Sequence, residues 1–316
     1  MSYELDPGAD VADDLRRIAR EQVSSAIQDL DDPDDGVVEA IHDCRKRCKK
    51  LRGLIRLVRP ALGDHYSAAN TTFRDAARHL GPLRDAQALH GTFAALCAAQ
   101  REHLPDDGLA SVDDELRRRS ERSQAAVTTG DPRVQAAKEL LGIGEAMIEE
   151  WELDRGGFGA LAGGLGRTYR RGRKAFERAL RAPTGEAFHD YRKRVKYTWY
   201  HVRLLEPTAP SVLAPLGNRL HDLSDALGDE HDLGVLSSLL LDEPDPFGGN
   251  DRVGSAMLVI DGQRADLRRR AVGLGARLHA ERTKVFVGRA SAYWDAWQSH
   301  GDEPRAGEIG KVTSRG

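Results

Sequence analysis

Aromatic side chains are scarce: four Trp, seven Tyr and seven Phe amount to 6% of 316 residues. Strand-rich cores draw on aromatic and β-branched side chains, whereas this chain is rich in Ala, Leu, Arg, Asp and Glu, which favours helices. Cysteine is equally rare. Cys44, Cys48 and Cys97 cannot all pair within one chain, and their spacing suggests no disulfide framework. No apolar run approaches the roughly 20 residues that span a bilayer, so no membrane helix is expected. Met1 to Arg20 is acidic and polar, without the apolar core of a signal peptide, and the expectation is a cytoplasmic protein. Hydrophobic residues nevertheless make up 40% of the chain, enough for one large packed domain or two of ordinary size.

Net positive charge is also missing, with 47 Lys and Arg against 50 Asp and Glu for a total of −3. The distribution is uneven. His42 to Arg59 holds eight basic residues and one acid, a net of +7. Arg167 to Arg203 holds twelve against three, a net of +9, which leaves −19 on the rest of the chain. Segregation of this kind focuses a positive field along two stretches and repels anions elsewhere.

The two stretches are related. Glu39 to Pro60 superposes on Glu186 to Pro207 at an offset of 147 without a gap, and eleven of the 22 positions are identical. The same offset lays Leu80-Gly81-Pro82-Leu83-Arg84-Asp85 on Leu227-Gly228-Asp229-Glu230-His231-Asp232. An unbroken register over this length reads as an internal duplication. The expected halves are residues 1–155 and 156–300, with 301–316 as a disordered tail. Breakers divide each half into helices: Asp31 to Gly36, Pro60, Gly81-Pro82, Pro105 to Gly108 and Gly130 to Pro132, then Gly156-Gly157, Pro183 to Gly185, Pro207 with Pro210, Gly228-Asp229, and Glu243 to Gly249.

On a helix of 3.6 residues per turn, Ile41, Cys44, Cys48, Leu51, Ile55 and Val58 fall on one apolar stripe. His42, Arg45, Lys46, Lys49 and Arg56 fall on another. Phe188, Tyr191, Val195, Thr198, Val202 and Leu205 repeat the first stripe, and His189, Arg192, Lys193, Lys196 and Arg203 the second. Like charges four residues apart repel, and a linear anion with regularly spaced charges would relieve that repulsion. Arg52 adds to the first ladder, and Arg74, Arg78 and Arg84 lie nearby in sequence. Arg170, Arg171, Arg173 and Lys174 precede the second copy. Guanidinium and ammonium together suit phosphate, the first through paired hydrogen bonds, the second as a point charge. Trp151, Trp294 and Trp297 are expected in the core.

Two other classes draw on the same residues. His42-Asp43, His189-Asp190, His221-Asp222 and His231-Asp232 are the dipeptides of metal-dependent HD-type phosphohydrolases. Two of the four, however, open helices crowded with cations that would repel a metal. A nucleic-acid reading gains stacking surfaces from Tyr197, Trp199 and Tyr200, yet no helix-turn-helix, zinc-finger or RNA-binding signature is present. No nucleophile is paired with a base by motif and no Gly-rich phosphate loop occurs, so neither catalysis nor a cofactor is expected.

His42, Arg45, Lys49, Lys50, Leu51 and Arg52, with His189 through Lys196, resemble the signatures of the CHAD family, the conserved histidine α-helical domain. The Leu-Gly elements at 80 and 227 and the Tyr169-Arg170-Arg171 run fit the same resemblance, which extends to about residue 300. It implies an all-α fold of two pseudo-twofold-related helical bundles around a basic central groove or pore. It also implies binding of inorganic polyphosphate without turnover, by the cations named above and both histidines, with no metal. Polyphosphate granules then become an expected location, and nucleic acid only a competing polyanion. The Glu-x-Glu-x-Lys motif of the triphosphatase that often accompanies the family is absent, which implies a free-standing module. Tyr197 and Trp199 replace cations usual in the family's second copy.

Overall fold

The structure, a computed structural model, describes residues 3–34, 36–83, 85–100 and 109–301. Among these, the elements are α1 (Val11–Asp31), α2 (Val37–Leu57), α3 (His65–His79), α4 (Asp85–Ala99), α5 (Ala110–Ala125), α6 (Pro132–Glu149), α7 (Gly157–Arg181), α8 (Gly185–Leu205), α9 (Pro210–Asp242), α10 (Asn250–Leu278) and α11 (Thr283–His300), with two short 3₁₀ turns and no strand. Arg84, the Pro105 to Gly108 break and residues 302–316 of the expected tail lie outside the described residues. Side-chain oxygens of Asp10, Asp131 and Thr184 cap α1, α6 and α8 by accepting from first-turn amides. α2 instead begins after Gly36, whose φ of 92° suits a residue without Cβ.

Helices α1, α2, α3 and α6 pack in a ring, each against the next. In the second group α8 lies between α7 and α9, α9 packs on α10, and α11 covers α7. α2 touches both α7 and α8, so one apolar core runs through both groups. The expected boundary near residue 156 falls in the link between α6 and α7, but packing does not respect it throughout. α4 and α5 lie against α9 and α10, where Phe93, Leu96, Val112, Leu236, Phe247 and Ile260 form a separate core.

Both apolar stripes are buried, from Ile41 through Val58 on α2 and from Phe188 through Leu205 at the same phase of α8. Cys44, Cys48, Trp151, Trp294 and Trp297 are buried with them. One expected break is absent. α9 runs straight through Gly228-Asp229, whereas α3 ends before Gly81-Pro82. Pro82 lacks an amide hydrogen and pushes the preceding residue out of helical geometry. Asp229, at the matching place, does neither, and a lone glycine costs a long packed helix only about 1 kcal/mol.

α2 and α8 cross at Gly53 and Tyr200, positions 147 apart. A Cβ on Gly53 would stand 2.9 Å from the Tyr200 Cβ. The buried His201 Nε2 donates to the Gly53 carbonyl at 3.0 Å, and burial holds this imidazole neutral by lowering its pKa to about 3. Gly53→Ala must therefore push the helices apart. Overpacking of this kind costs about 1–3 kcal/mol, to be read as a lowered denaturation midpoint with an unchanged helical circular dichroism spectrum.

Candidate functional site

Together with α2 and α8, α9 encloses a cleft of about 380 Å³ as its third side. His42, Lys46, Lys49 and Lys50 enter it from α2, and Arg192, Lys196 and Arg203 from α8. The apolar stripe that buries each helix aims these side chains outward into the shared space. Lys46 and Lys49 are exposed, while Lys50, Arg192, Lys196 and Arg203 are half-buried. Trp199 forms part of the wall, with Lys196 Nζ 4.8 Å and Arg203 Cζ 5.8 Å from its ring centre.

Crowding of like charge is visible in the titration. Burial, then Arg203, Arg47 and Lys46, lowers Lys50 to about 8. Burial, then Arg192, lowers Lys196. His189 lies behind the cleft, its ring 4.1 Å from that of His231. Burial, then His231, Lys193 and Arg192, lowers it to about 4, and its buried Nδ1 has no hydrogen-bond partner. It is therefore neutral at neutral pH rather than a standing cation.

Small residues make room for the ladder. A Cβ at Gly81 would stand 2.9 Å from Arg45 Nη1, and one at Gly228 would stand 3.5 Å from Arg192 Nη2. Each Leu-Gly element thus accommodates the arginine of its own half, at matching positions. The same positions also meet across the halves. Arg56 stacks on Tyr197 at 4.2 Å, and Lys50, 147 before Tyr197, neighbours Arg203, 147 after Arg56.

The other expected residues lie elsewhere. Arg52 donates to Asn70 Oδ1 at 3.3 Å. Arg56 and Arg171 belong to an arginine cluster with Arg59, Arg167 and Arg194, set between Tyr66 and Tyr197 on a different face of α8. Arg74 pairs with Asp75 through two bonds of 3.0 and 3.1 Å, and Arg78 lies 3.7 Å from the same carboxylate. Arg170, Lys174 and Lys193 are exposed and Arg173 is half-buried, none of them lining the cleft. Of the expected residues, His42, Lys46, Lys49, Arg192, Lys196 and Arg203 therefore share one space.

That space also holds acids the sequence reading passed over. Asp225, Asp229 and Asp232 line it from α9, spaced four and three apart on one helix face. Burial, then Asp225 and Asp232, raises the Asp229 pKa. The spacing was there to be read, as was Lys50 within the first signature. Of the four His-Asp dipeptides, His42, His221 and Asp232 line the cleft. His221 pairs with Asp225, one turn on, and the His231 ring lies against that of His189. The four do not gather into one metal-type donor cluster among the described residues. Among the described residues, Glu39, His42 and Asp43 bring one donor each within 4.8 Å, though Lys46 already bonds Asp43 at 3.1 Å. No helix of the described residues is long and apolar enough to cross a membrane.

The chain is similar in structure to PptA from Streptomyces chartreusis, with a TM-score of 0.60 and 14% identity over 85% of this chain and all of that one. It is also similar to the CHAD domain from the plant Ricinus communis, with a TM-score of 0.50 and 17% identity over 90% of this chain and 96% of that one. No curated protein matches. The family model described as CHAD domain matches residues 17–241. The chain belongs to the CHAD domain family.

Proposed function

We propose that this protein binds inorganic polyphosphate, or a very similar linear polyanion, in the cleft between α2, α8 and α9, and releases it unchanged. The observation that carries this reading is the meeting of cations from two sequence-related helices in one space, three from each: Lys46, Lys49 and Lys50 from α2, and Arg192, Lys196 and Arg203 from α8. The family's association with polyphosphate supports it. In this reading the halves 1–155 and 156–300 are repeats, each supplying one wall, and polyphosphate granules are the expected place of action. The role in this reading is binding without turnover, in keeping with a sequence that carries no nucleophile–base motif.

A polymer spanning both walls gains a second, effectively intramolecular set of contacts. Isothermal titration across phosphate chains of defined length should show weak binding of orthophosphate and pyrophosphate, then rising affinity that levels off. The salt slope should approach about −0.7 per contacted phosphate, the value for single-stranded nucleic acid. Pyrophosphate binding as tightly as long chains would replace the extended cleft with a compact pocket. Incubation with Mg²⁺ or Mn²⁺ should leave chain length unchanged on a gel, and shortening that is lost in His189→Ala would make the protein a hydrolase.

A further inference from the structure

A second cavity, of about 430 Å³, opens inside the second helical group and shares no residue with the basic cleft. Leu220 of α9, Leu274 and Leu278 of α10 and Phe286 of α11 form its apolar lining. Arg219, Arg277 and Arg289 surround it, with Glu281 as the one carboxylate among the lining residues. Glu281 is already engaged, accepting from Arg289 at 2.7 and 3.2 Å. Among the described residues Arg277 donates to the Gly273 carbonyl of its own helix, and Arg219 lies 3.3 Å from Asp222. Arg219 and Arg277 are exposed, so the rim is net positive and accessible to a solute.

The fold itself does not require this space. Positions 147 earlier in the chain occupy the matching place in the first group: Leu51 for Thr198, Ala69 for Leu216, Thr72 for Arg219 and Phe73 for Leu220. Phe73 is fully buried, and α6 closes over it so tightly that a Cβ on Gly144 would stand 2.4 Å from the ring. In the second group the smaller Leu220 leaves the volume open, and an arginine stands where the first has threonine. An apolar cavity of several hundred Å³ with a few convergent polar groups has the dimensions and chemistry of a small-molecule site.

We infer that this cavity binds an amphipathic organic anion, in the simplest case an acyl-chain carboxylate, with the chain against Leu220, Leu274, Leu278 and Phe286 and the carboxylate at Arg219 and Arg277. Charge complementarity selects the sign of the head group. A neutral amphiphile leaves Arg277 without an anion and Arg219 with Asp222 alone, and a cationic one is repelled. This site is separate from the polyphosphate cleft, and its occupancy is read without reference to that ligand.

Equilibrium dialysis of the full chain against decanoate, 1-decanol and decyltrimethylammonium tests the inference. Saturable binding of about one decanoate per chain is expected, with decanol weaker and the cation weakest. Arg219→Ala with Arg277→Ala, both at exposed positions, should reduce decanoate affinity about tenfold or more, the scale of a hydrogen bond to a charged group. Decanol binding should hardly move. Leu220→Phe installs the residue the first group carries and should abolish binding of both probes while circular dichroism still reports a folded chain. Failure to capture the protein on phosphatidylglycerol vesicles would assign the ligand to free solute. Capture by vesicles with no decanoate uptake would overturn the inference, as would decanoate binding that the double alanine variant leaves unchanged. Polyphosphate titration of the same variants should give wild-type affinity, which keeps failure of one site distinct from failure of the other.

Discussion

Reversing two charges, Lys49→Glu with Lys196→Glu, should lower polyphosphate affinity by two to four orders of magnitude and leave the fold intact. Each lysine comes from a different wall of the cleft, and neither lies on the buried stripe of its helix. A hydrogen bond to a charged group contributes about 1.5–3 kcal/mol, so two lost contacts amount to about 3–6 kcal/mol, with about 1.4 kcal/mol per factor of ten. Each introduced carboxylate adds repulsion in a space that already holds three aspartates. Lys49 is exposed, so its reversal costs little stability. Lys196 rests on Trp199, and Lys196→Gln serves where the glutamate disturbs that contact. Arg118→Glu on α5 makes the same charge change against Glu115, far from the cleft lining, and should leave affinity within about twofold. Equal loss in the control would mean that overall charge, and not this cleft, governs binding.

Much of this arrangement was legible in the sequence because it rests on periodicity. The spacing of Ile41, Cys44, Cys48, Leu51, Ile55 and Val58 determines which face of α2 is buried, and the matching set does the same for α8. The outward ladders follow from that. What periodicity does not encode is how far along the helices the two ladders stay together. Arg56 shares a stripe with Lys49, yet it packs on Tyr197 and joins Arg59, Arg167, Arg171 and Arg194, while Arg203 at the matching position of α8 stays with the cleft. Nearness in sequence does not set nearness in space: Arg74 and Arg78 are close to the ladder in the chain but pair with Asp75, outside the cleft lining. The third wall was hidden for another reason. Asp225, Asp229 and Asp232 look like an ordinary solvated helix face, and only the packing of α9 against α8 sets them opposite the cations. The break expected at Gly228-Asp229 failed because its counterpart depends on Pro82, which the second copy lacks.

The acidic wall gives the cleft a pH response, with one sign throughout. Asp229 has a raised pKa, from burial first and then from Asp225 and Asp232, so it gains a proton on acidification more readily than an ordinary aspartate. A bound polyanion raises it further. Lys50, lowered to about 8 by burial and its cationic neighbours, loses charge as pH rises through 8, and a bound polyanion returns its pKa toward the ordinary lysine range. His189, held near 4, behaves likewise. Each group binds more protons in the complex than in the free protein, so affinity must fall as pH rises, by up to tenfold per pH unit for each group in its own window. Between pH 8 and 10 Lys50 dominates, and on the acid side Asp229 and His189 do. Titration at pH 8.5 in buffers of different ionisation enthalpy should therefore register proton uptake on binding. Lys50→Arg keeps the cation but does not titrate in this range, and should remove most of that uptake while retaining affinity. Triple replacement of Asp225, Asp229 and Asp232 by Asn should strengthen binding at pH 7 and flatten the acid limb, since the repulsive charges are then gone at every pH. Unchanged or weaker binding in the triple variant would show that the carboxylates do not face the ligand, and the polymer would have to run along another surface.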